Sequence, residues 1–153
     1  MTRVSHAPDR LEVSFDDPNL VANAGLLLTA TLSDRFGLEA MIDDLVKLGD
    51  RVGGARPGRK VLTLVHAMIA GATNIDHTDR LSAGSTGAVL GHRVMAPSTL
   101  GTFLRAFTFG HVRQLEAVNG KALQRAWAAG VAPGGALVID IDSTICQVDG
   151  NLK

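Results

Sequence analysis

Residues 96–107 read APSTLGTFLRAF, and this segment decides the class of fold. Pro97 cannot continue a preceding helix, and Ser98 is a residue type that caps the start of a following one. The apolar positions after it recur at intervals of three and four residues, as they do on one face of a helix: Leu100, Phe103, Leu104 and Phe107. The segment therefore predicts an amphipathic helix with one buried face.

The same helical periodicity extends along most of the chain on both sides of this segment. Further helical segments are predicted at about 19–35, 38–49, 61–69, 76–81, 85–90 and 115–127. Asp76 is interpreted as the cap of its segment, and Gly130 as the residue that closes the last one. His66 lies within an apolar helix, which favours a core histidine over a ligand.

The pattern changes beyond the last helix. Residues 133–135 (PGG) form a linker, and residues 136–142 (ALVIDID) follow it. A continuous apolar run rich in β-branched residues is typical of a strand buried on both faces. We therefore expect a mainly α protein, in which helical N-terminal and middle regions are followed by the first strand of an α/β domain.

Charge and composition divide the chain into three regions. Residues 1–55 form an acidic helical region, residues 56–132 a basic helical region, and residues 133–153 the start of a truncated catalytic domain. The whole chain is neutral, but net charge is −5 over 1–50 and +7 over 51–130. A basic segment suits a partner that carries phosphates. A solvated helical surface is the alternative explanation.

The composition also limits the cellular location. The first 18 residues are polar and acidic and lack the apolar core of a signal peptide. The longest apolar stretch, near 26–32, falls far short of the roughly 18 residues that span a membrane. The single cysteine, Cys146, cannot form an internal disulfide. We therefore expect a cytoplasmic protein without membrane contact.

The sharpest chemical motif is the pentad DIDST at residues 140–144. Because strand side chains alternate, Asp140 and Asp142 would share one face. Two neighbouring carboxylates repel each other unless a cation lies near them, and oxygen-only ligands favour Mg²⁺ or Mn²⁺ over zinc. The alternative is a strand that simply runs into a solvated turn, where aspartate is common.

Two classes of enzyme fit this pentad. In phosphohydrolases that resemble the haloacid dehalogenase group, Asp140 would be the nucleophile and Asp142 the general acid and base. In DDE transposases, the metal-binding aspartate of the first strand would be Asp142. The pentad alone does not distinguish these two classes.

The upstream sequence favours the transposases. Nearly the whole chain resembles the N-terminal part of DDE transposases from bacterial insertion sequences of actinobacterial type. The matching segments are FDDP at 15–18, VANAGL at 21–26, GRKVLTLVH at 58–66, NIDH at 74–77 and APSTLGTFLRAFTFGHVRQL at 96–115. The last of these is the most specific to the group.

This resemblance implies an RNase H-like catalytic core. It implies that Asp142 is the catalytic carboxylate and a metal ligand, that Asp140 is a secondary ligand, and that the complete enzyme uses Mg²⁺ or Mn²⁺. The family continues past Gly150 to a second aspartate and a final glutamate. We therefore expect a truncated transposase that is inactive alone, and a non-enzymatic DNA-binding regulator is the further alternative.

The implied partner is the terminal DNA of the element, with a second copy or a full-length transposase as a possible protein partner. The Ser98 helix, preceded by the short helical segment at 85–90 and a turn, resembles the reading helix of a helix-turn-helix, although ordinary bundle packing is the alternative. The residues expected to contact DNA are basic or hydroxyl-bearing: Arg56, Arg59, Lys60, Arg93, Thr99, Thr102, Arg105 and Arg113.

Overall fold

A computed structural model describes residue 17 and residues 19–131, 134–136 and 138–141. The described chain is mainly helical, as the periodicity predicts. Its α-helices are α1 Leu26–Arg35, α2 Leu38–Leu45, α3 Pro57–Ile69, α4 Thr86–Val89, α5 Pro97–Arg105 and α6 Phe109–Ala126. A 3-10 helix, Ile75–Ser82, lies between α3 and α4, and a π-helical turn, Trp127–Val131, follows α6.

The first core cluster joins α2, α3, α5 and α6. Phe103 of α5 is completely buried in it, and its ring meets that of Phe107 edge to face at a centroid distance of 4.9 Å. The other buried members are apolar: Met41, Ile42, Val46, Leu48, Leu62 and Val118. The buried face predicted for the 96–107 segment is thus confirmed at Phe103 and Leu100, which is also fully buried, whereas Leu104 is exposed and its predicted burial is wrong.

The second core cluster joins α1, α3, the 3-10 helix and the end of α4. Its buried members are Leu26, Ala30, Ala67, Leu81 and Leu90. Since α3 contributes to both clusters, it is the central helix of the described fold. Both clusters also combine side chains from the acidic region 1–55 with side chains from the basic region 56–132.

The start of α3 lies unusually close to α2. The amide of Gly58 donates a hydrogen bond of 2.7 Å to the Asp43 carboxylate. A Cβ atom at position 58 would lie 2.5 Å from the Glu39 carbonyl oxygen. Glycine is therefore required here by the close approach of the two helices.

Two predicted helix caps are wrong. Helix α5 begins at Pro97, because proline is favoured at a first helical position, and Ser98 makes no capping hydrogen bond. The 3-10 helix is capped by Asn74, whose side chain accepts a 3.2 Å hydrogen bond from the His77 amide, so Asp76 lies inside the first turn. Gly130, at φ 88°, does adopt the left-handed conformation that a closing residue needs.

The first helix is shorter than its periodicity predicts. It begins at Leu26 rather than near residue 19. The preceding segment makes an isolated antiparallel bridge between Val21 and Gly84, and the Ser85 amide donates a 3.0 Å hydrogen bond to the Leu20 carbonyl. A contact distant in sequence therefore replaces the first turn of that helix.

The strand predicted at 136–142 is only partly covered by the structure. Residues 136 and 138–141 are exposed and form no ladder with any described residue. Leu137 and Asp142 lie outside the described residues, so the strand and the α/β domain stay predictions. In the part of the chain that is described, no helix combines the length and apolar character needed to span a membrane.

The α2–α3 contact predicts opposite effects for two glycine-to-alanine substitutions. Gly58→Ala should lower the free energy of unfolding by about 1–3 kcal/mol, because the new methyl group overlaps the Glu39 backbone. Gly120→Ala in α6 should raise it by about 0.5–1 kcal/mol, because alanine favours helix and no atom outside its helix lies within 4 Å of the new Cβ. Urea denaturation measures both. A Gly58→Ala variant as stable as the parent would contradict this packing.

Candidate nucleic-acid interface

Two of the expected DNA-contacting residues lie at the start of α3, where Arg56 is exposed and Arg59 is half-buried. Arg56 precedes Pro57 and adopts the left-handed conformation, with φ 50°. Arg59 forms an ion pair with Glu39, with 2.8 Å between its Nε and the carboxylate Oε1. The charge of Arg59 is thus partly compensated, whereas Arg56 has no carboxylate within 4.0 Å among the described residues.

Lys60 does not lie on the surface, and its expected contact with DNA is not supported by its placement. Its residue exposure is 4%. Its ammonium donates hydrogen bonds to the carbonyls of Gly53, at 2.6 Å, and Ala55, and lies 5.4 Å from the Phe103 ring centroid. Burial lowers the pKa of this ammonium, and the Asp43 carboxylate opposes the shift. Lys60 therefore fastens the 53–55 loop to the core.

Three further candidates for base or phosphate contact lie on α5. Thr99 and Thr102 are half-buried, and Arg105 is exposed. The Thr102 hydroxyl donates a hydrogen bond of 3.1 Å to the Ser98 carbonyl and accepts one of 3.3 Å from the Arg105 guanidinium. Thr102 is therefore engaged within its own helix, and Arg105 is the residue of this group with charge available to solvent.

A groove separates α5 from the 3-10 helix. Thr102 and Arg105 line one wall, and Asp76 and Asp79 line the other. Carboxylates in the groove repel a phosphate that enters it. A polyanion is therefore better accommodated along the outer side of α5 than inside this groove.

The interpretation of α5 as the second helix of a helix-turn-helix is wrong, because α4 and α5 do not form the pair that such a motif requires. Helix α4 has only four residues, and seven residues separate it from α5, whereas such motifs join their helices by a turn of about three or four residues. Within the described residues α5 packs against α3 and the 3-10 helix and makes no contact with α4.

The two remaining arginines, Arg93 and Arg113, lie on separate elements. Arg93 is exposed in the connection between α4 and α5. Arg113 is exposed on α6 and forms an ion pair with Glu116, with 2.9 Å between guanidinium and carboxylate. The structure therefore distributes the candidate contacts over α3, the α4–α5 connection, α5 and α6.

Two further arginines have structural roles that the sequence did not reveal. The Arg51 guanidinium donates a 2.6 Å hydrogen bond to the Ala106 carbonyl at the end of α5. The Arg125 guanidinium donates to the Phe36 carbonyl in the turn between α1 and α2. Both contacts join segments far apart in sequence, and no local pattern indicates them.

Two histidines, His66 and His92, line a cavity beside α3. His66 has an exposure of 1%, which confirms its interpretation as a core residue. Its Nδ1 lies 3.3 Å from Nε2 of His92, and the two rings stack with an interplanar angle of 23°. Burial, and secondarily His92, lower the pKa of His66, which favours the neutral ring.

The acidic pentad contributes little to the described structure. Asp140 is exposed, and Asp142 lies outside the described residues. Among the described residues no group of three or more His, Cys, Asp or Glu side chains could hold a metal ion. The Mg²⁺ or Mn²⁺ site expected from the resemblance is therefore not assembled by this part of the chain.

Comparison with known proteins adds no assignment. No protein family model matches the chain, and neither a curated protein nor a solved structure matches it. The functional interpretation therefore rests on the residues and their placement.

The contrast between buried Lys60 and exposed Arg93 can be tested by charge reversal at each position. Lys60→Glu should lower the free energy of unfolding by about 3–5 kcal/mol, because it leaves a buried carboxylate facing carbonyl oxygens. Arg93→Glu changes the net charge equally and should alter stability by less than about 0.5 kcal/mol. Chemical denaturation compares the two variants. Equal stabilities would show that Lys60 is a surface residue after all.

Proposed function

We propose that this chain is the DNA-binding part of a DDE transposase and that it contacts the terminal DNA of an insertion element through exposed arginines. The proposal rests on the exposure of those arginines and on which of them form ion pairs. Between described residues, ion pairs within 4.0 Å engage only Arg59 and Arg113. Arg56, Arg93 and Arg105 are exposed, so their charges are available to phosphates.

The charge asymmetry supports a contact that is mainly electrostatic. The excess of positive charge over residues 51–130 remains after the buried Lys60 is removed from the count. The described residues show no ready-made recognition helix of the helix-turn-helix type. We therefore propose that phosphate contacts position the protein on the duplex, and that the hydroxyl and guanidinium groups of α5 add contacts near the grooves.

The proposed contribution to catalysis is a single carboxylate, that of Asp142. In the complete enzyme the divalent ions would activate the attacking oxygen and stabilise the leaving one. Asp140 would assist as a secondary ligand. The described residues do not form such a metal centre. We therefore propose DNA binding as the function of this chain, in the bacterial cytoplasm where the element resides.

The binding part of the proposal predicts a steep dependence on salt. Affinity for a duplex should fall strongly between low and moderate salt, because counterions are released on binding. Arg93→Gln and Arg105→Gln should each reduce the slope of log affinity against log salt by about 1. Lys47→Gln, which removes an exposed charge from the acidic region, is the matched control and should leave the slope unchanged.

Fluorescence anisotropy with labelled duplexes at several salt concentrations gives these slopes. Duplexes with and without the element's terminal sequence separate general phosphate contact from recognition of the end. Absence of binding at low salt, or binding that does not respond to salt, would refute the proposal.

The catalytic part predicts an order of importance for the two aspartates. In a chimera that appends the remaining catalytic segment of a related transposase, Asp142→Asn should abolish Mg²⁺-dependent cleavage and leave DNA binding intact. Asp140→Asn should have the milder effect. A gel assay of cleavage and a binding assay on the same samples distinguish these results. A phosphorylated Asp140 would instead favour a dehalogenase-like phosphohydrolase.

A further inference from the structure

The cavity beside the two histidines lies between α1, the start of α2, α3 and the end of α4. It has a volume of about 190 Å³. Its polar lining comes from His66, His92, Ser33, Asp34 and Glu39. Glu39 is already paired with Arg59, whereas Asp34 has no basic partner within 4.0 Å in the described structure. The cavity thus combines two imidazoles with one uncommitted carboxylate.

The hydrogen bonds of the two rings determine where their protons lie. His92 Nδ1 is 3.2 Å from the Arg93 carbonyl oxygen, which can only accept, so this nitrogen carries the proton. In the tautomer that carries a single proton on Nδ1, His92 holds a lone pair at Nε2 and accepts from Nδ1 of His66. Neutral His66 consequently has its own lone pair at Nε2.

That arrangement leaves a buried acceptor without a donor. Nε2 of His66 is buried and has no hydrogen-bond partner among the described residues. The backbone groups that act on this ring, the carbonyls of Thr29 and Leu62, favour its protonated form and cannot donate to it. Leaving a buried nitrogen without a hydrogen bond is energetically costly. The pair therefore contains one buried ring nitrogen without a hydrogen bond to any described residue.

The spacing of the facing nitrogens matches a coordinated pair. Zinc–nitrogen bonds of about 2.0–2.1 Å with tetrahedral angles place two ligand nitrogens about 3.3–3.4 Å apart. The observed separation is 3.3 Å. A metal held between Nδ1 of His66 and Nε2 of His92 would use both lone pairs. The His66 proton would then lie on Nε2, and no proton would be lost overall.

We propose that His66 and His92 form a binding site for one divalent transition metal of the zinc class, completed by the Asp34 carboxylate and water. Imidazole ligands select such ions over Mg²⁺. In the bound form, His92 Nδ1 keeps its hydrogen bond to the Arg93 carbonyl, as the outer nitrogens of metal-binding histidines normally do. The site is separate from the pentad and does not depend on the proposed function.

The described geometry already brings the two imidazoles together, and the remaining ligands must move. No third histidine, cysteine or carboxylate is placed with them at coordinating distance among the residues described. Asp34 lies at the exposed end of α1 and lines the same cavity, so its carboxylate is the candidate third ligand. The metal would link α3 to the connection that leads into α5.

The test uses the full 153-residue chain after treatment with a chelator. Calorimetry with Zn²⁺ should show one site per chain, and Co²⁺ should give the visible absorption of a tetrahedral complex. His92→Gln should weaken Zn²⁺ binding at least tenfold, and Asp34→Asn should weaken it by a smaller factor. His77→Gln, at a histidine outside the cavity, should leave the affinity unchanged. Mg²⁺ at the same concentrations should not bind.

Nitrogen chemical shifts of the histidine rings provide a readout that does not depend on affinity. Addition of Zn²⁺ should move the His66 proton from Nδ1 to Nε2, while the His92 proton remains on Nδ1. Because His92 is only half-buried, the His92→Gln variant should fold, and circular dichroism checks that it does. Failure to bind Zn²⁺ at one site per chain, or equal binding by folded His92→Gln, would overturn the proposal.

Discussion

The close contact between α2 and α3 is the constraint on which the other contacts depend. It requires the absence of a side chain at Gly58, the hydrogen bond from its amide to Asp43, and the ion pair between Arg59 and Glu39. Because α3 contributes to both core clusters, its position determines where α1, the 3-10 helix and α5 pack. A shift of α3 would therefore disturb both clusters at once.

The buried charge of Lys60 extends this constraint to the adjoining loop. Desolvation of an ammonium is costly, and the carbonyls of Gly53 and Ala55 offset that cost only if the loop keeps its conformation. The loop, the first turn of α3 and Phe103 are thus coupled through one side chain. The number of basic residues in the basic region therefore overstates its positive surface charge, because one of them, Lys60, is buried.

Local periodicity predicts that α3 and α5 are helices, but it does not determine which residues they bury: α3 buries Thr63 and exposes Met68, and α5 exposes Leu104. It fails where a distant contact intervenes, as at Val21, whose bridge to Gly84 excludes the first turn of the predicted helix. The candidate site shows the same limit. The sequence indicates that Arg93 and Lys60 are both basic, but only tertiary packing makes one exposed and the other buried.

The two proposed sites meet at one connection yet use different atoms. The Arg93 backbone carbonyl accepts the His92 Nδ1 proton, whereas the Arg93 guanidinium is exposed to solvent. A side-chain substitution at Arg93 therefore removes a DNA-contacting charge and retains the carbonyl that fixes the His92 tautomer. A substitution at His92 does the reverse, since it removes a metal ligand without removing a permanent positive charge. Metal binding and DNA binding can consequently fail independently, although they act on the same segment before α5.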